Sequence, residues 1–147
     1  MIDVKFNLDE YGSVDFDIED GDLKHEDGFD TAIWISLFTD ARATESQVLI
    51  PEHRRGWLAD ILSINNRKLG GYLWLIDQSR LVQKTLNEAI DYARKSLEWM
   101  LEDDICEQIN VTGSLVPKLG IQLNIQIISK YGVTSNKNVK LWEVTGD

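Results

Sequence analysis

One cysteine, two prolines and two histidines are all that this 147-residue chain holds of the side chains that staple, break or ligate. A lone Cys106 cannot form an internal disulfide, which agrees with a reducing compartment. His25 and His53 have no second histidine, cysteine or acid at metal-ligand spacing that falls on one face, so no metal is expected. No apolar run approaches the roughly 18 residues of a membrane span, and "MIDVKFNLDEYG" has neither a basic n-region nor an apolar h-region. The expectation is a soluble protein, not exported by a standard signal and not a membrane partner. Basic residues are also scarce. A net charge of -10 argues against nucleic acid, whose phosphates call for clustered lysine and arginine. Gly70-Gly71 before "YLWLI" lacks the further glycines and the lysine of a phosphate-binding loop, and no cofactor is expected.

What is present suits a folded core. Hydrophobic residues make up 43% of the chain and include five tryptophans, which excludes a disordered polymer. The acidity is uneven, because residues 1–30 hold 11 acids against 2 bases, leaving the remainder nearly balanced. Such a segment either faces a basic partner or keeps an edge strand solvated. Within it, "DFDIEDGDLKHE" (residues 15–26) nearly fits the calcium loop of an EF-hand, with Asp15, Asp17, Glu19 and Glu26 at ligand positions. The required glycine falls one place late, at Gly21, and Val14, Phe16 and Ile18 alternate with acids in the period of a strand. An acidic hairpin turning at Asp20-Gly21 is the better reading, and a calcium module the lesser alternative.

Further along, "GFDTAIWISLFTDARA" offers Asp30 or Thr31 as a helix N-cap before six apolar residues in seven. As a helix it is apolar nearly all round, so a second layer or a partner must cover it. Residues 43–71 read mostly as loop, with a short helical turn at Leu58 to Leu62. This stretch carries the densest basic group, in which Arg42, Arg54, Arg55, Arg67 and Lys68 stand against Glu45, Glu52 and Asp60. A charge cluster is commonly just solvated, yet a long loop with arginines and Trp57 has the composition of an interface.

The clearest element is "TLNEAIDYARKSLEWMLED", residues 85–103. Leu86, Ile90, Ala93, Leu97, Met100 and Leu101 form one stripe at helical spacing, and Thr85 with Glu88 makes a capping box. Tyr92 and Trp99 flank that stripe as edge packing or contact surface. The helix runs into Glu102-Asp103-Asp104, and acids there oppose the helix dipole unless a partner cation or solvent relieves them. Alternation then predicts strands in "EQINVTG" and "LGIQLNIQIIS" and in "VKLWEV" at about residues 139–144. The expected fold is α+β: one domain over 1–147, with an acidic N-terminal hairpin segment (1–30), a mainly helical part (31–104) and an antiparallel β-meander of three strands (105–147) covered by the long helix and the shorter apolar one.

Chemistry finds little footing. With 25 carboxylates some pair always lies at glycosidase spacing, and Cys106 sits where a strand begins, the place of a small hydrophobe. No enzyme is expected. The order of "DGFDTAIWISLFTDARA", "RRGWLADIL", "GGYLWLI", "TLNEAIDYARKSLEWMLEDDICEQINVT" and the final strands resembles the Mu-like phage baseplate protein family of contractile tails. More distantly the chain is similar to the T4-type sheath-initiator or wedge family. There a leucine, a threonine, an arginine and a downstream glycine precede the core, and Leu37, Thr39, Arg42 and Gly56 fit that order. That family's Glu-Pro-Arg motif should fall near Glu102 to Asp104, where this chain has "EDD", a departure at the contact the motif makes. The resemblance implies a non-enzymatic subunit, made in the bacterial cytoplasm and carried in the virion tail baseplate. It would be present as six copies, or a multiple, around a six-fold axis and assembled with other wedge, tube or sheath proteins. Arg42, Arg54, Arg55 and Trp57, with Glu102 and Asp103, are the expected partner-binding residues. Because members of the wider family have been labelled lysozyme-like, a peptidoglycan hydrolase using a carboxylate pair remains the alternative class.

Overall fold

The computed structural model describes residues 3–4, 6–8, 14–16, 18–23, 25–26, 30–56, 70–76, 79–117, 120–130, 132 and 134–141. The helical turn expected at 58–62, together with Trp57, Arg67, Lys68 and Leu119, lies outside these residues. The chain divides into two compact units, residues 1–35 and 36–147.

In the first unit six short strands pair antiparallel: β1 (Asp3–Val4) with β6 (His25–Glu26), β2 (Phe6–Leu8) with β3 (Val14–Phe16), and β4 (Ile18–Glu19) with β5 (Asp22–Leu23). The three extended stretches that carry them each pair with both of the others. Asp20 (φ 52°) and Gly21 (φ 83°) make the tight turn between β4 and β5. Positive φ at both central positions is what a type I′ hairpin needs, and Asp-Gly supplies it at low steric cost. The near-EF-hand stretch is thus strand, turn and strand, not a loop between helices. Ile18, expected on a half-buried face, is 75% exposed.

Helix α1 spans Asp30–Phe38, and its start at Asp30 places Thr31 inside the helix, where it is buried. Ile33 and Leu37, four apart, are fully buried, while Phe38 is 45% exposed. Thr31, Ala32, Ser36 and these two are all buried and only Phe38 is exposed, so the helix is covered around most of its circumference, as its all-round apolar composition requires.

The second unit is built on α2 (Gln83–Glu102) and a meander of β7 (Cys106–Val116), β8 (Gly120–Ser129) and β9 (Thr134–Lys140) in the order β7-β8-β9. One sheet face presents Val111, Ile121, Leu123, Ile125, Ile127 and Val139, all buried. Against it α2 buries Leu86, Ala89, Ala93, Ser96, Leu97 and Met100. At about 2 kcal/mol for each large apolar side chain removed from water, Leu86, Leu97 and Met100 alone hold the helix to the sheet. The stripe is rotated from the expected one, since Ala89 and Ser96 are in, Ile90 is half-buried and Leu101 is 40% exposed. Small residues at the centre of that face let the helix axis come close. Gly113 on β7 completes the fit, because a Cβ there would stand 2.8 Å from Leu123 Cδ2 and 3.0 Å from Leu86 Cδ1.

The other sheet face is polar and almost uncharged. Cross-strand rows such as Asn110-Gln126-Asn136 and Thr112-Asn124-Asn138 run across all three strands, and Asn110 Nδ2 donates to Gln126 Oε1 at 3.0 Å. The last strand begins at Thr134, before the expected 139–144, of which residues 142–144 lie outside the described residues. Its inward positions Ser135 and Lys137 are polar and only half-buried, so "TSNKNVK" hides the alternation that Val139 alone reveals.

Both ends of α2 differ from expectation. Val82, extended, is the N-cap without a side-chain bond, so the Thr85–Glu88 capping box does not form. Thr85 is buried and donates to Arg80 O at 2.6 Å, while Glu88 lies 3.9 Å from Lys84. At the C-terminus Ile105 N donates to Met100 O (2.9 Å) and Asp104 N to Leu101 O (3.1 Å), a Schellman closure with Asp104 at φ 62° where glycine is usual. Asp104 also pairs with Lys130, so an intrachain cation offsets one of the terminal acids.

Two outcomes follow from this packing. Gly113→Ala should overpack the α2–β7 contact and destabilise the fold by about 1–3 kcal/mol in urea unfolding. Asp104→Gly should raise stability by about 0.5–1 kcal/mol in the same measurement, since relief of the left-handed backbone outweighs loss of an exposed ion pair.

Candidate functional site

Among the described residues that follow α1, 39–56 form a loop. Its base is a close backbone crossing, in which Gly71 N donates to Thr39 O and Ala41 N to Gly71 O, both at 2.9 Å. A Cβ on Gly70 would lie 2.0 Å from Thr39 O, so only glycine fits there. The return of the loop reverses at Arg55 (φ 52°) and Gly56 (φ 106°), and a Cβ on Gly56 would lie 2.6 Å from Arg42 Cβ. Thr39, Arg42 and Gly56, picked out by resemblance, are thus all at points of tight approach in this loop.

Of the three arginines expected to meet a partner, Arg54 is turned inward, while Arg42 and Arg55 are exposed and bonded within the loop. Arg54, its side chain 13% exposed, donates from Nε to Val48 O (2.8 Å) and from Nη2 to Leu49 O (3.1 Å), and its Nη1 lies 3.7 Å from Glu45 Oε1. Arg42 donates to Arg55 O (3.2 Å) and Pro51 O (3.4 Å). Arg55 pairs with Asp40 at 2.8 Å, and its guanidinium carbon sits 4.7 Å from the centroid of the Trp74 ring. Trp74 in turn donates Nε1–H to Ala41 O at 3.0 Å. A planar fork with several donors can close on two carbonyls at once, which explains why arginine fills these places. The local charge surplus noted in the sequence serves to tie the loop. Trp57 lies outside the described residues.

Glu102, the last residue of α2, and Asp103, its C-cap, are exposed. A general acid must be kept protonated by an apolar cleft, and water-exposed carboxylates lack that environment. Tyr92 and Trp99 pack at the edge: Tyr92 meets Tyr72 edge-on at 6.0 Å, and Trp99 Nε1 donates to Ser36 Oγ at 2.9 Å. Cys106 is buried, and that burial pushes its thiol pKa up, opposite to the shift that activates a nucleophile. His53 is exposed in the one-turn 3-10 helix Pro51–His53. Among the described residues no cluster of three or more His, Cys, Asp or Glu side chains could hold a metal ion.

What the sequence reading missed is the tip of the loop. Leu49 is 85% exposed and Ile50 51% exposed, two large aliphatic side chains held out by a braced backbone. Their signal was present as "VLIP", an aliphatic run stopped by proline inside an otherwise polar stretch.

The chain is thus an α+β protein with a braced, apolar-tipped loop. Residues 29–134 match the family described as Phage protein GP46, and the chain belongs to that family. It is 38% identical over 96 residues to the baseplate protein gp46 of Escherichia phage Mu, covering 63% of this chain and 65% of that relative. To the Mu-like prophage FluMu protein gp46 of Haemophilus influenzae it is 27% identical over 115 residues, 78% of each chain. No helix among the described residues is long and apolar enough to cross a membrane.

Because Arg54 bonds two carbonyls of the tip, Arg54→Met should loosen the loop without unfolding the α2–sheet core. Hydrogen exchange is expected to speed up by about tenfold or more at Ala43 and His53, with Arg54→Lys failing to restore protection.

Proposed function

We propose that this chain is a structural component of a phage tail baseplate, a wedge or sheath-initiator-like subunit that acts by protein–protein assembly and catalyses no reaction. The observation that carries the reading is membership of the GP46 family together with a Mu relative named as a baseplate protein. The braced loop supports it, because a surface segment held by this many internal bonds loses little further entropy on docking. In this reading Arg42, Arg54 and Arg55 act at the interface by shaping the loop, Trp57 is a further partner-binding residue, and Glu102 and Asp103 form a second, acidic contact. Partners are other wedge, tube or sheath proteins of the baseplate. Six copies, or a multiple, stand around the tail axis, assembled in the bacterial cytoplasm before incorporation into the virion.

Co-expression with the proteins encoded beside it, followed by size-exclusion chromatography with light scattering, should give a stable hetero-complex. The Arg54→Glu, Arg55→Glu double variant should lose that complex while keeping its circular dichroism spectrum. A chain that elutes alone with every neighbour would sink the reading. Clearing of peptidoglycan by the purified chain, abolished in Glu102→Gln, would replace it with the hydrolase class.

A further inference from the structure

We infer that one flank of α2, formed by Tyr92, Ser96 and Trp99, is the mount that aims the 39–56 loop at its partner. Ser96 and Trp99 are then positioning residues that touch no partner themselves, and this rests on the assembly reading above. The loop's own bonds leave one thing open. Arg54 bonds the carbonyls of Val48 and Leu49, Arg42 those of Pro51 and Arg55, Arg55 pairs with Asp40, and Ala43 N donates to Arg54 O, all inside 39–56. Such bonds fix the shape of a loop but not its direction. Direction has to come from contacts outside it.

Those contacts lead to one helix flank. Thr39 and Ala41 are bonded to Gly71, and Ala41 O also accepts from Trp74. The segment that holds them is seated on α2. Tyr72 meets Tyr92 edge-on, the 3-10 turn Leu73–Ile76 packs on the helix with Leu73 and Ile76 buried, and a Cβ on Gly71 would stand 2.7 Å from Ser96 Cβ. The Ser96 hydroxyl donates within the helix, to Ala93 O at 2.8 Å, which leaves its Cβ as the closest approach to Gly71. From the other side Trp99 Nε1 donates to the buried Ser36 Oγ, three residues before Thr39, and the Ser36 carbonyl oxygen would stand 3.3 Å from the same Cβ.

Tyr92, Ser96 and Trp99 follow one another at intervals of four and three, the spacing of a single helical face. Gly71 thus sits in a slot between α1 and α2, and the width of that slot sets where Thr39 and Ala41 lie. An interface gains from such a mount, because a loop already aimed loses little freedom on docking. Widening the slot re-aims the loop without altering any residue at its tip.

The test measures affinity for the neighbour that co-elutes with the wild-type chain, by calorimetric titration at a temperature where the variants are folded. Gly71→Ala forces Gly71 and Ser96 apart, and binding should weaken by about tenfold or more. Adding Ser96→Gly removes the opposing Cβ. Affinity should then return to within about threefold of wild type, even though a glycine inside the helix keeps the melting temperature below wild type. Affinity restored while stability stays low is a pattern that a purely structural contact would not give. Trp99→Phe, which keeps a ring and loses the N–H, should weaken binding by about 3- to 10-fold with its circular dichroism spectrum unchanged, and it decides the matter alone should Gly71→Ala fail to fold. Wild-type affinity in Gly71→Ala or in Trp99→Phe, or a Gly71→Ala loss that Ser96→Gly does not relieve, would remove the mount and leave the assembly reading standing. Absence of any wild-type complex would remove both.

Discussion

Ala89 and Ala93 are completely buried on α2, and small residues on a helix's buried face are what let its neighbours approach it closely, the constraint on which the second unit depends. Larger residues at those points would lift the helix and empty the space that Leu86, Leu97 and Met100 fill. Close-packed interiors tolerate no such gap, because a void forfeits contacts on every side of it. Gly113 answers the two alanines from the strand, admitting Leu86 where any side chain would block it. The approach also places Ser96 against Gly71, whose missing Cβ would lie 2.7 Å from Ser96 Cβ. Gly71 is the hinge pin of the loop's backbone crossing at Thr39 and Ala41. The packing of α2 therefore reaches through to the base of the 39–56 loop.

Charge plays a different part in this molecule from the one its net value suggests. The ion pairs at Asp40–Arg55 and Asp104–Lys130 are exposed and contribute little to global stability. Their use is local: each holds a residue at positive φ, Arg55 in one case and Asp104 in the other. Side-chain charge here is spent on backbone shape, at two places where the chain must turn and where neither residue is glycine.

How much of this was readable in the sequence depends on the period of each signal. The long helix and the first two strands of the meander announce themselves, since buried positions recur at 3.6 and at 2 and are filled by large aliphatic residues. The Asp20-Gly21 turn was equally legible from its dipeptide. The third strand was not, because Ser135 and Lys137 occupy half-buried positions where edge strands tolerate polar side chains. Thr85 misled for a related reason: its spacing to Glu88 suits a cap, but its hydroxyl finds Arg80 O and its place in the helix is internal. For the site, composition picked out the loop but not the bonds its arginines make within it. Arginine content cannot say whether a guanidinium faces outward or folds back on neighbouring carbonyls, which depends on contacts between Arg54 and Val48 that no periodicity encodes. The aliphatic run Val48-Leu49-Ile50 was in plain view, yet burial is the default expectation for such a run, and only the bracing shows why it stays out.

The amide rows on the open face of the meander set a boundary on how the protein senses its surroundings. Asparagine, glutamine, serine and threonine do not titrate and are not screened, so that face presents the same hydrogen-bonding pattern in acid, at neutrality and in concentrated salt. The acidic segment at the start of the chain behaves in the opposite way, its self-repulsion rising and falling with protonation and ionic strength. The chain thus combines a surface whose character follows the medium with one that is indifferent to it, and associations made through the sheet face would be insulated from the ionic history of the particle.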